Sequence, residues 1–293
     1  MKKMTIGRVI LHAFLIILSL TYILPLILMI SISFSSEDAI VAFGYTLFPK
    51  VFSLDAYKMC FQNPHQLLQS YKVTAAYSIL GTLLATLVQS LMAYPLSRSN
   101  FKLRGFVTKY IFITMLFSGG LVPSYILNTK YLHLGNSFWV YILPGLTSAW
   151  NVIVFRTFFQ GLPEELPEAA KIDGASELRI FFGIILPLST PVLASLGFMT
   201  LVGKWNDWNT SLLYIRDADL YSLQYLLQRI LREVEYVKGL RDTVAGSLLD
   251  TDNLPTESMR YAMAVLAAGP MLVTFPFFQK YFAKGMTVGA VKG

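Results

Sequence analysis

A chain of 293 residues carries 55% hydrophobic and 14% charged side chains at a mean hydropathy of +0.55, whereas soluble domains carry about 25% charged residues. That balance excludes an ordinary soluble domain. It also removes nucleic acid as the reason for the net charge of +7, because in a membrane chain the positions of basic residues matter more than their sum. The lone Cys60 cannot close an intrachain disulfide, and His12, His65 and His133 lack metal-ligand spacing.

Six apolar stretches reach roughly the 20 residues that a bilayer-spanning helix requires: residues 10–33, 71–97, 106–127, 138–159, 180–203 and 263–281. Hydrocarbon offers no water to backbone N–H and C=O groups, and the alternation of a transmembrane barrel is missing, so each stretch predicts a helix. The expected class is all-α: six transmembrane helices in one domain over residues 1–293. The first stretch follows Lys2, Lys3 and Arg8. A cleaved signal peptide would be shorter and followed by an A-x-A site, so the segment reads as a retained anchor. With the N-terminus inside, the cytoplasmic pieces hold more Lys and Arg than the short external connections, whose basic residues are Lys50, Lys58, Lys72 and Lys130. The prediction is N-in and C-in, with a cytoplasmic tail over 282–293.

The second stretch carries Ser78, Thr82, Thr86 and Gln89 at helical spacing. Such a row either lines a polar path or packs helices through small side chains. Gln89 stands out for the path, since an amide in hydrocarbon requires partners. Prolines at 25, 95, 123, 144, 187, 191, 270 and 276 each free a carbonyl and permit a bend.

Between the fourth and fifth stretches lies a charged loop, 160–179, too short for a domain. Pro163, Glu164, Glu165 and Glu168 suit the start of a short helix, where a fixed φ and negative charge complement free N–H groups. Gly174 ends that helix and Ser176 caps a second one. The result is a helix-turn-helix knuckle whose Ala169 and Ala170 offer a smooth face. At the outer end of the fifth stretch, Trp205, Asn206, Asp207 and Trp208 combine flat apolar rings with hydrogen-bonding groups. They read either as an interfacial aromatic anchor or as contacts for sugar rings. The long external loop, 204–260, contains Leu223, Leu226, Leu227, Ile230, Leu231 and Val234 at helical spacing opposite Arg229, Arg232 and Glu233. This is an amphipathic helix lying on the outer leaflet, on the neighbouring spans or on a docked protein.

The spacing Glu168, Ala169, Ala170, then Gly174, then Ile184, Leu186 and Pro187 resembles the full EAA signature of type I ABC importer permeases. The resemblance covers nearly the whole chain. Residues Ile172 to Ser176 and Leu186 to Leu188 are similar to the carbohydrate-uptake branch that includes the maltose permease. The terminal run Gly285 to Gly293 is similar to the tail of the second maltose permease subunit, which reaches between two ATPases. Ser35, Ser36, Gly44 and Tyr45 resemble permeases for complex oligosaccharides such as fragments of alginate or rhamnogalacturonan.

The resemblance implies a multi-pass subunit of a bacterial cytoplasmic membrane importer that moves an oligosaccharide or polysaccharide fragment by alternating access. The same importer class with an amino acid, peptide or phosphate cargo is the alternative. It further implies that Glu168, Ala169, Ala170, Asp173 and Gly174 couple to an ATPase, and that Gly289, Val291, Lys292 and Gly293 contact it through the tail. A second homologous permease, two ATP-binding subunits and an extracytoplasmic solute-binding protein are the expected partners, alongside membrane lipid. ATP and Mg belong to the partner ATPases, because this chain lacks G-x-x-x-x-G-K-[ST]. An intramembrane enzyme is disfavoured: His12 is the one histidine in a span, and no H-E-x-x-H occurs. Gln89, Trp205, Asn206 and Trp208 are the candidates for a substrate path.

Overall fold

A computed structural model describes residues 6–239 and 256–290. Among them the secondary structure is helical, with one strand-like pairing of Ser35 with Phe52. Three helices are long and apolar enough to cross a membrane, and up to six segments qualify if each of three bent helix pairs counts as one span. The described residues divide into two compact units, Met1–Leu67 with Leu226–Pro270 and Leu68–Tyr225 with Met271–Gly293.

In the first unit, α1 (Ile6–Ser33) is apolar around its circumference, and Ile10, Phe14, Ile17 and Tyr22 all stand exposed. A helix with no polar face suits hydrocarbon, not water. The hydroxyls of Ser19 and Thr21 donate to the carbonyls of Leu15 and Ile17 at 2.8 and 3.0 Å, so neither requires an outside partner. Ser36 caps α2 (Glu37–Phe43) by accepting the Ala39 N–H, and Gly44 ends it at φ +70°. Phe34 stacks on Phe52 and Tyr57 at 5.6 and 4.9 Å, beside the short helix α3 (Asp55–Cys60). The Glu37 carboxylate accepts the N–H groups of Glu257 and Ser258 at 3.0 and 3.2 Å, satisfying free donors at the start of α14 (Thr256–Ala290).

The second unit begins in α4 (Pro64–Ser97), which runs unbroken. Arms α5 (Arg104–Leu116) and α6 (Leu121–Ile126), the latter extended by a π-helical turn to Tyr131, meet at 111°. Gly120 at φ +86° supplies backbone freedom at that break. Single 3-10 turns at Phe138–Tyr141 and Leu143–Gly145 precede α7 (Ala149–Gln160), with a 49° bend. After the knuckle helices α8 (Glu165–Ile172) and α9 (Glu177–Ile180), a π-helical turn leads into α10 (Leu186–Leu188), which meets α11 (Thr190–Trp205) at 80°.

The apolar stretches 106–127, 138–159 and 180–203 are thus broken helices. At the last of them, Pro191 can neither donate an N–H nor tolerate the carbonyl of Pro187 four residues back, so the chain turns at Ser189. One core joins Tyr94, Ile111, Phe155, Phe159, Ile180 and Phe181, and a second gathers around Tyr77, Val140, Tyr141 and Ile142. Helix α12 (Asn209–Tyr214) precedes α13 (Leu223–Gly239). On α13, Leu223, Leu226 and Leu227 are buried, while Arg229 and Glu233 are exposed and paired at 2.8 Å. The expected stripe is present as far as Leu231; the surroundings of Val234 lie outside the description.

Candidate functional site

Helix α8 starts at Glu165, two residues after Pro163, and ends in a complete glycine turn. The Ala175 N–H donates to Ala170 O at 2.9 Å and the Gly174 N–H to Lys171 O at 3.0 Å, with Gly174 at φ +80°. This pairing of a six-residue and an inner bond satisfies the last carbonyls of a helix and favours glycine at the left-handed position. Ser176 then accepts the Arg179 N–H and starts α9. Lys171 pairs with Glu177 across the turn.

The knuckle is tied to the rest of its unit by core packing and by a hydrogen bond. Ile180 and Phe181 lie in the core, and Glu177 Oε2 accepts the Tyr94 hydroxyl at 2.7 Å. The Arg98 guanidinium stands 5.2 Å above the Tyr94 ring. Lys171 first, then the Tyr94 hydroxyl and Arg98, hold the Glu177 carboxyl below its ordinary value.

Glu168, Ala169, Asp173 and Gly174 are exposed on this knuckle, while Ala170 is half-buried and packs on the core. The outward small-residue face is therefore that of Ala169, and Ala170 faces inward. Leu166, Leu178 and above all Ile172, 88% exposed, add apolar surface. The run Leu166, Ala169, Ile172 at three-residue spacing was the sequence signal for that surface.

The polar row on α4 lies against neighbouring elements of its unit. Gln89 is 1% exposed; its Nε2 donates to Leu146 O and its Oε1 accepts from Asn151 Nδ2, both at 3.0 Å. Both ends of the amide are thereby engaged by protein. A Cβ at Gly197 of α11 would lie 3.6 Å from Thr86 Oγ1 and 3.9 Å from Thr82 Cγ2, so these helices meet at small residues. Beside that contact lies a cleft of about 340 Å³ lined by Thr82, Thr86, Leu193 and Phe278.

At the end of α11, Trp205 is buried and lies 6.4 Å from the Tyr71 ring. Asn206 is exposed; it donates to Val202 O and accepts from Gln224 Nε2 at 3.1 Å. Trp208 is half-buried. Gln89 bonds Leu146 and Asn151, whereas Asn206 bonds Val202 and Gln224. Gly289 falls in the last turn of α14, and Val291, Lys292 and Gly293 lie outside the described residues.

Comparison with known proteins places this architecture. A family model described as "Binding-protein-dependent transport system inner membrane component" matches residues 79–288. Protein LplC of Bacillus subtilis is 40% identical over 271 residues, covering 92% of this chain and 90% of that protein. The polygalacturonan/rhamnogalacturonan transport system permease protein YtcP of Bacillus subtilis is 37% identical over 283 residues, 96% of each. A chain in the crystal structure of a bacterial ABC transporter involved in the import of the acidic polysaccharide alginate aligns with a TM-score of 0.77 and 25% identity, covering 94% of this chain and 96% of that one. With more than half of its length inside the family model, the chain belongs to the inner membrane components of binding-protein-dependent transport systems.

Proposed function

We propose that this chain is one of two permease subunits in an ABC importer that moves an oligosaccharide or polysaccharide fragment into a bacterial cell. In this reading the three long helices and three bent pairs make six spans, N-in and C-in. The knuckle over 160–179 faces the cytoplasm and receives the movement of a separate ATPase, which holds ATP and Mg. A second, related permease, two ATPases and an extracytoplasmic solute-binding protein complete the assembly. The tail residues Gly289 to Gly293 reach toward the ATPases.

One observation carries the coupling proposal. The knuckle is rigid at its turn, through Gly174 and Ser176, and anchored at its base, through Glu177 and Tyr94, yet it exposes Leu166, Ala169 and Ile172. A braced element with an apolar tip transmits force instead of absorbing it. Saccharide cargo is supported by relatives named for polygalacturonan/rhamnogalacturonan, alginate and arabinooligosaccharide transport.

The test is purification of the tagged chain from its native membrane with its partners, followed by crosslinking from an Ala169→Cys variant. The expected product joins this chain to a nucleotide-binding subunit, and the reconstituted complex takes up saccharide when given ATP and binding protein. A crosslink that forms only from the outer face, or a complex without an ATPase, would refute the proposal.

A further inference from the structure

Helix α11 ends in a charged side chain with no role in the coupling scheme. Lys204 lies in its last turn, next to Trp205, on an arm that is otherwise apolar. The side chain runs through a notch that glycines leave open. A Cβ at Gly81 on α4 would stand 2.9 Å from Lys204 Cε, and a Cβ at Gly145 would stand 3.2 Å from Nζ. Nζ donates to the carbonyl of Tyr141 at 2.9 Å. Gly145 and its neighbours Leu143 and Pro144 are exposed, at the break that precedes α7. The ammonium therefore reaches an open edge between interrupted helices.

Lys204 is half-buried just past the fifth apolar stretch, and an ammonium held out of water there requires partners. An ammonium has three N–H donors, and Tyr141 takes one of them. No described carboxylate forms an ion pair with it. Asp207, three residues on, accepts the Thr210 N–H at 3.0 Å. Asp207 attracts the ammonium from beyond ion-pair distance, which leaves two of its N–H donors open, and a clamp on Tyr141 would be served equally well by a neutral donor.

We infer that Lys204 is an anion-receiving site for the cargo, which holds the carboxylate of an acidic sugar residue as it passes the break before α7. The inference rests on the saccharide-permease reading and deepens it by naming the charge of the cargo.

The experiment uses the complete importer with its binding protein in proteoliposomes, and compares uptake of trigalacturonate with that of its methyl ester. Lys204→Met keeps the length and removes the charge. The expected result is a KM for trigalacturonate raised about tenfold, as for loss of one charge-assisted contact, with ester uptake unchanged within about twofold. If that complex does not assemble, Gly145→Ala crowds the ammonium while keeping its charge, and a shift of about threefold in the same ratio is expected. An unchanged acid-to-ester ratio in the variant that assembles, or wild-type uptake of the ester alone, overturns the inference. A wild-type complex that takes up no saccharide overturns the parent reading instead, and the inference with it.

Discussion

The Tyr94 hydroxyl donates to Glu177 Oε2 at 2.7 Å across 83 positions of sequence. It ties the second short helix of the knuckle to the C-terminal end of α4. Tyr94→Phe removes this bond while keeping the ring that packs on Phe181. The expected cost is about 1 kcal/mol, and under the proposed coupling it shows as fewer molecules imported per ATP hydrolysed, with ATPase activity retained. Uptake and phosphate release measured on the same proteoliposomes decide it; an unchanged ratio would remove the tie from the coupling path.

Gly174 sits at φ +80° with no heavy atom near the position of a Cβ, so its constraint is conformational and not spatial. Gly174→Val should cost about 1–2 kcal/mol at the turn, whereas Gly174→Asn, which enters the left-handed region more readily, should retain most transport. Side-by-side uptake assays on the two variants test this. Equal loss in both would point to crowding by a partner instead.

Gln89→Leu should lower stability by about 1–3 kcal/mol, because Leu146 O and the Asn151 amide lose their buried partner. Cargo selectivity should be unchanged. Thermal unfolding of the detergent-solubilised complex measures the first, and competition between saccharides the second. The pair Gln89→Leu with Asn151→Leu should fall short of additivity, since both act on one contact.

The Glu177 carboxyl is held below its ordinary value of 4.5, chiefly by Lys171. A depressed acid contributes its stabilisation above the ordinary value and loses it as the pH falls through the lowered one. Knuckle cleavage by an acid-stable protease should therefore rise below about pH 4. In Glu177→Gln the cleavage should already be high at neutral pH and respond weakly to acid. A wild-type profile flat from pH 7 to about 3 would refute the assignment.

The sequence made the helical class, the glycine turn and the Ser176 cap legible, because each depends on local chemistry: hydropathy, the missing Cβ of Gly174 and a hydroxyl at a helix start. It did not show where the stretches break. Pro187 and Pro191 gave permission for a bend, but a proline inside a membrane helix is compatible with many angles, and packing around Ser189 selects one. Gln89 was expected to need partners, yet Leu146 and Asn151 lie far along the chain and carry no mark of the pairing. Lys204 was hidden for the same reason. Its significance depends on two glycines, Gly81 and Gly145, distant from it in sequence.

The 80° corner at Ser189 has a mechanical consequence. The arm from Glu177 to Leu188, interrupted by a π-helical turn at Phe181–Ile185, is about 18 Å long at about 1.5 Å per residue, and its pivot carries a buried hydroxyl with no hydrogen-bond partner. Under the proposed coupling, turning this arm by about 10° would displace its far end by about 3 Å and load the corner as torque on α11.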